Sequence, residues 1–234
     1  MRKRVACILL SLTISLGISF AQDRSTSISV SSSLITSSKL FHHPDDADEL
    51  LRSEFLPLNT IFSVGIDVRR TIEALRIQIG VSAEYVRKSD VFYLPASDSK
   101  VIPVRDGFVA LPIELSGYFT IPVGTDNFHI YMGGGAGIYF GKRTYEYAGV
   151  EAATIERTTG YGIHILSGME YTANAAISIR SELKFRDIQF ETVNKFQKDA
   201  TTYNGSTLLL DQEPLTSRIN IDGMTVNLGL VFHF

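Results

Sequence analysis

Charged residues recur at every second position within several segments of this 234-residue chain. In an extended strand alternate side chains share a face, so these charges lie together on one side of their strands. Both signs are present, and in a narrow interior such charges must pair or stay solvated, which predicts a mixed ion-pair network. The predicted members are Arg76, Glu84, Glu114, Glu170, Arg180, Glu182, Lys184 and Arg186. Glu170 and Arg180 flank a short turn and are expected to meet diagonally across it.

Other residue patterns that could perform chemistry are weaker. The glycine run 133–137 (GGGAG) has neither the spacing of a dinucleotide site nor the lysine of a phosphate loop, so close packing explains it better. His42, His43 and the acidic residues after them match no zinc or calcium pattern, which favours a solvated loop. His164 and Ser167 have opposite parity and cannot form a base and nucleophile pair within one strand, whereas His164 and Glu170 could pair in a lumen. We therefore expect no enzyme, cofactor or metal site.

The first residues are typical of an export signal. Three basic residues at positions 2–4 precede an apolar run over 5–18, and Ala21 ends a small-x-small cleavage pattern. Residues 1–21 are thus predicted to be a signal peptide, leaving 22–234 as one domain. The single cysteine, Cys7, lies inside the signal, which excludes a disulfide scaffold, and it lies too early to be a lipoprotein acceptor. The net charge of −3 argues against a nucleic-acid partner.

A strict period of two identifies the strands, most clearly in the last eleven residues. There one face is wholly apolar and the other carries small or polar residues, as a strand between lipid and a polar lumen requires. The same alternation predicts eight strands at 26–37, 59–68, 75–85, 108–121, 128–140, 161–171, 177–186 and 224–234. No stretch after the signal has the roughly 18 consecutive apolar residues of a membrane helix. One short helix is expected within 45–52, after Pro44.

The connections between these strands alternate in length. Short turns join strands two to three, four to five and six to seven, whereas long loops at 38–57, 87–107, 141–158 and 188–219 fill the other gaps. Outer-membrane barrels have short periplasmic turns and long extracellular loops, so an all-β, eight-stranded antiparallel transmembrane up-and-down barrel is predicted. A soluble lipocalin-type barrel with an apolar interior is the rival fold.

Aromatic residues on the apolar face fall into two groups, as the belts at the two lipid–water boundaries require. The outer group is Phe62, Tyr85, Phe140, Tyr161 and Phe185, and the periplasmic group is Phe119, Phe128, Tyr171, Phe232 and Phe234. A soluble barrel has no reason to place aromatic residues in two such bands.

Residues 111–118, 131–141 and 178–186 resemble the outer-membrane-protein β-barrel domain family, small barrels similar to the membrane domain of outer-membrane protein A. The resemblance implies an outer-membrane location in a diderm bacterium and contact with outer-membrane lipid. It also implies that the barrel-assembly machinery reads the closing strand through Val226, Leu228, Leu230, Phe232 and Phe234. It implies no particular activity.

Three functions remain open at this point. The first is a monomeric structural or surface-interaction protein, with a lumen plugged by its charges and an extracellular partner bound through loops 38–57 and 188–219. The second is a narrow channel or transporter for small or apolar solutes. The third and least favoured, against the expectation of no enzyme, is a lipid-modifying enzyme.

Overall fold

Twelve strands account for most of the computed structural model, which describes residues 25–95, 101–125 and 127–234. They are β1 Thr26–Phe41, β2 Phe55–Ile72, β3 Ile77–Pro95, β4 Val101–Thr125, β5 Phe128–Tyr147, β6 Val150–Arg157, β7 Gly160–Thr172, β8 Ile177–Lys195, β9 Ala200–Tyr203, β10 Ser206–Leu209, β11 Leu215–Ile221 and β12 Met224–His233. The predicted signal peptide 1–21, with Cys7, lies outside the described residues.

Eight of these strands close into an antiparallel ring in the order β1, β2, β3, β4, β5, β7, β8 and β12. The serine-rich β1 closes it, because its Ile28 lies opposite both Val68 of β2 and Phe232 of β12. Pairing on both sides satisfies the backbone polar groups of β1, which a membrane barrel requires of every strand. The predicted eight-stranded antiparallel barrel is therefore confirmed.

The two faces of the ring differ sharply in polarity. Phe62 and Ile163 point outward and are 67% and 71% exposed, whereas Arg69 and Glu114 point inward and are 3% and 2% exposed. An outward apolar wall around a charged interior suits lipid and is the reverse of a soluble lipocalin-type barrel. The rival fold is thereby excluded.

The aromatic residues of both predicted belts lie on the barrel wall. The outer group, and Phe119, Tyr171 and Phe232 of the periplasmic group, are exposed on the outside, while Phe128 and Phe234 are half-buried. Phe128 lies directly opposite Tyr171, so the periplasmic band continues from β5 to β7.

The long loops were predicted too long, because the strands continue well beyond the outer aromatic belt. Predicted loop 87–107 is mostly strand, with β3 and β4 paired as far as Pro95 and Val101. Predicted loops 38–57, 141–158 and 188–219 likewise contain strand extensions of β1, β2, β5 and β8 together with β6, β9, β10 and β11. Above the membrane no lipid-facing apolar stripe is needed, so the alternation that marks a strand is lost there.

The inner face changes character in these extensions. Thr60 has a φ of 56° and lies at a gap in the β1–β2 pairing, between the pairs Ile35 with Ile61 and Ser37 with Asn59, while the register stays the same on both sides. Even-numbered residues of β2 point inward above it, so Leu58 joins the interior. The result is a fully buried apolar layer above the charges: Ile35, Leu40, Leu58, Ile61, Val86, Phe108, Ala110, Tyr139, Ile188, Phe190, Ile219 and Ile221.

Helical structure is minor in the described residues. The predicted short helix exists as α1, Glu49–Ser53, and begins where the side chain of Asp48 accepts a hydrogen bond from the Leu50 amide. A single 3-10 turn at Glu73–Leu75 joins β2 to β3. Across residues 25–95, 101–125 and 127–234, no helix has both the length and the apolar character to span a membrane.

Candidate functional site in the barrel lumen

The periplasmic half of the lumen is built around Arg69 on β2. Its Nε donates to Asp67 Oδ1 at 2.7 Å and its Nη2 to Glu182 Oε1 at 2.5 Å. The guanidinium lies over the ring of Tyr118, 3.7 Å from the centroid, a cation–π contact. Tyr131 donates its hydroxyl to the same Glu182 oxygen at 2.7 Å. One cation thus ties β2 to β4 and to β8, across the lumen.

Arg180 continues this group toward the periplasm. It lies 2.9 Å from Asp67 Oδ1 and 2.9 Å from Glu170 Oε2, and Glu170 also contacts His233 Nε2 at 3.2 Å. Glu170 and Arg180 meet as predicted, but they lie directly opposite each other in the register rather than diagonally.

The outer half of the charged lumen is a second group around Glu114. Lys184 Nζ lies 2.6 Å from Glu114 Oε2, and Arg186 Nη1 lies 2.6 Å from Glu84 Oε2 and 3.5 Å from Glu114 Oε1. The Tyr139 hydroxyl donates to Glu114 at 3.1 Å. Each carboxylate meets a cation within a hydrogen bond, the condition under which buried charges are tolerated.

Seven of the eight predicted network residues face the lumen, and Arg76 does not. Arg76 follows the 3-10 turn with a φ of 53° and is exposed at the periplasmic end. The prediction for Arg76 was wrong because strand three begins at Ile77. Arg76 shares the even numbering of the lumen-facing Gln78, but the alternation of faces does not extend into the turn that precedes the strand. His164 does not contact Glu170 as considered; its Nε2 lies 2.8 Å from Ser116 Oγ.

Five lumen residues were not predicted as members of the network: Asp67, Arg69, Tyr118, Tyr131 and Tyr139. Arg69 was assigned to a connection, yet β2 continues to Ile72, and counting two residues beyond Asp67 along the strand would have found it. The tyrosines gave no such signal, because an aromatic residue on the polar face is ambiguous until its neighbours are known.

Glycines make room for these tyrosines. A Cβ on Gly168 would lie 2.5 Å from the Tyr131 ring, and one on Gly133 would lie 2.9 Å from Tyr118 Cδ1. The run 133–137 therefore serves close packing in a narrow barrel, as the sequence suggested. A Cβ on Gly137 would meet the Tyr139 hydroxyl and Glu114, and one on Gly135 would meet the backbone carbonyl of Leu115.

Above the apolar layer lies a third polar group, centred on the fully buried Asp106. Arg143 donates to it through Nε at 2.8 Å and Nη2 at 2.5 Å, and also through Nη1 to Ser217 Oγ at 2.6 Å. His42 Nε2 lies 3.0 Å from Asp106 Oδ2. Burial acts to raise the pKa of Asp106, but hydrogen bonds and charge from Arg143 and His42 outweigh it and hold that pKa below its usual value.

Little free space remains between the charged groups. A cavity of about 30 Å³ lies among Ser29, Ser82, Asp67 and Tyr118, on the side of the lumen where β1, β2 and β3 carry small residues. A space of this size holds one or two waters. The arrangement can retain water beside fixed charges.

Several first-loop residues considered as metal ligands instead make contacts within the protein. His42 binds Asp106, and Asp46 and Asp48 accept backbone hydrogen bonds at the start of α1. Within the described ranges no group of three or more His, Cys, Asp or Glu side chains is placed to hold a metal ion.

Comparisons with known proteins bear on the fold alone. No family model matches the chain, and no curated protein matches it. Among solved structures, the outer membrane protein OprG from Pseudomonas aeruginosa aligns with 90% of this chain and 96% of its own, at 13% identity and a TM-score of 0.59. Neisserial surface protein A covers 90% of this chain and 97% of its own, at 12% identity and a TM-score of 0.47. The charged lumen, the outward apolar wall and the likeness to OprG together show that this chain has the fold of the small bacterial outer-membrane β-barrels and lies in that membrane.

Proposed function

We propose that this protein is a closed outer-membrane barrel whose function resides on its extracellular surface, where it binds an external partner. The observation that supports this most directly is the double closure of the lumen. Ion pairs fill its membrane section, and a buried apolar layer that includes Phe108 and Phe190 covers them. An ion would have to displace charges and then cross an apolar barrier.

The extracellular part is a folded platform with a small core of its own. The β9 and β10 hairpin stands next to a small core of Ala152, Phe196 and Leu210, onto which Tyr145 and Leu215 pack. Folded extensions of this kind hold a binding surface in place, which lowers the entropy cost of association. Much of this platform comes from segments 38–57 and 188–219, which the sequence predicted to be loops. These segments remain the proposed contact regions.

Trimming the hairpin tests the proposal. The Leu210 amide donates to the Asp199 carbonyl at 2.8 Å, so a two-residue Asn-Gly turn in place of 200–209 can join the cut ends without strain. Intact cells that carry the trimmed protein should bind an extracellular-matrix or host-cell surface severalfold less than wild-type cells. The double variant Glu114→Gln with Lys184→Met, which alters only the lumen, is the control and should bind normally.

A narrow channel is the second candidate, favoured by the small polar cavity beside Ser29 and Ser82. If the protein conducts, solute uptake should survive hairpin trimming and change in the lumen double variant. Purified wild-type protein in a planar bilayer is expected to show no steady conductance. A stable nanosiemens current, or unchanged cell binding after trimming, would count against the closed-barrel proposal.

A further inference from the structure

A row of cations crosses the outside of the barrel just above the outer aromatic belt. Arg87 of β3 lies opposite Val109 of β4, and Val109 lies opposite Lys142 of β5. Lys142 shares a surface groove of about 320 Å³ with Arg157 of β6. The strands β3, β5 and β6 thus bring three positive side chains to one height on the outer wall.

The aromatic belt lies directly beneath this row. Tyr85, Leu111 and Phe140 are each two residues closer to the membrane than Arg87, Val109 and Lys142 on the same strands. Two residues of a strand span about 6.6 Å, so the cations lie about one headgroup above side chains that face acyl chains. Tyr85 and Phe140 also line the groove, which gives it an apolar floor and a basic upper edge.

These three cations have no carboxylate partner in the part of the chain that the structure describes, while neighbouring charges do. Glu146 pairs with Arg105 at 3.2 Å, and Asp90 pairs with Lys88 at 2.9 Å. Arg87 and Arg157 are exposed and Lys142 is half-buried. The positive charge of the row is therefore available to an anion from the membrane or the solvent.

We propose that this groove binds the phosphorylated headgroup of an outer-leaflet glycolipid, with Arg87, Lys142 and Arg157 on its phosphates and the belt beneath against its acyl chains. The position at the boundary selects a lipid over a free anion, because a soluble anion has no use for the apolar floor. Basic groups placed at headgroup level each add appreciable binding free energy for anionic lipids.

Native mass spectrometry of the full chain in detergent, titrated with bisphosphorylated lipid A, tests this inference. The triple variant Arg87→Gln, Lys142→Gln, Arg157→Gln should lose about fivefold in affinity per cation, or about 100-fold in all. The control variant Arg52→Gln, Lys195→Gln, Lys198→Gln removes the same charge from the extracellular side and should bind like wild type.

The identity of the lipid is tested in the same titration. Phosphatidylethanolamine and lipid A stripped of phosphate should bind the wild type as weakly as the triple variant binds lipid A. A gel-mobility shift on boiling verifies that every variant is folded. Equal affinities of triple and control variants, or equal binding of dephosphorylated lipid A, overturn the proposal; competition by millimolar inorganic phosphate alone would show a free-anion site and also overturn it.

Discussion

At the scale of single residues, the lumen is organised by two kinds of pairs. In one, a glycine leaves space for a large side chain, and in the other, a buried charge is neutralised by its counter-charge. Gly168 accommodates Tyr131, and Tyr131 in turn holds Glu182 beside Arg69. A substitution at Gly168 is therefore expected to disturb the ion pair of Arg69 and Glu182 by displacing Tyr131, although it changes no charge.

Gly168→Ala tests this dependence. The added methyl group would lie 2.5 Å from the Tyr131 ring, so the ring must move away from Glu182, and we expect a loss of about 1–3 kcal/mol in the free energy of unfolding. Urea titration of the protein in detergent micelles or vesicles measures it. Gly117→Ala is the matched control, because a Cβ there meets nothing within 4 Å. Equal stability of the two variants would contradict the packing argument.

Asp106→Asn tests the buried pair above the apolar layer. The pKa of Asp106 is lowered in the folded chain, so its contribution to stability is complete above a pH of about 4 and is lost as the pH falls through the lowered pKa. We expect the variant to be about 3 kcal/mol less stable than wild type at pH 7, because Arg143 loses its counter-charge, and the gap to close toward acid pH.

Urea titrations at pH 7 and at acid pH measure that gap. Asp222→Asn removes an exposed carboxylate that pairs with Lys39 at 2.8 Å, and it should cost less than about 1 kcal/mol. A difference between wild type and Asp106→Asn that stays constant with pH would be inconsistent with this assignment.

At the scale of elements, the barrel depends on strands that continue beyond the membrane and on one junction between its ends. The extensions of β3 and β5, together with β6, carry the cation row, and the extensions of β4 and β5, together with β11, carry the Asp106 group. The junction is held by β12, and the Phe234 amide still donates to the Thr26 carbonyl at 2.9 Å beyond its last strand residue.

Phe234→Ala should separate recognition of the closing strand from its stability. The backbone hydrogen bond to Thr26 needs no side chain, so refolding in detergent should remain close to wild type. In cells we expect severalfold less folded barrel, because the resemblance to outer-membrane barrels implies that the assembly machinery reads the terminal aromatic residue. The heat-modifiable fraction in outer membranes measures this. Leu209→Ala, in the exposed hairpin, is the control, and an equal yield for both would argue against the assembly signal.

At the scale of the whole molecule, three inward-facing layers follow one another from the periplasm outward. They are the ion pairs of the membrane section, the apolar layer of Phe108 and Phe190, and the Asp106 group. Groups of paired charges lie on both sides of an apolar barrier, and a folded cap continues above it. This order supports the proposal of a closed barrel with a functional outer surface over that of a channel.

Much of this was determined by the sequence. In the membrane one face of each strand meets lipid and the other meets charge, so a period of two marks the strands, their facing and their number. The same parity placed Glu84, Glu114, Glu170, Arg180, Glu182, Lys184 and Arg186 in the lumen. The terminal strand, with its apolar face and aromatic end, was recognisable for the same reason.

The tertiary structure alone decided what lies above the membrane and which residues pair across the barrel. Outside lipid the barrel wall no longer requires an apolar face, so the strand extensions lack the alternation by which a strand is recognised in the sequence. In β2, the positive φ of Thr60 also changes which residues point inward. Partners such as Arg69 with Glu182, 113 positions apart, meet only because strand tilt and register bring β2 and β8 face to face. The spacing of residues along one strand carries no information about contacts across a lumen. Those contacts are determined by the closure of the strands into a ring.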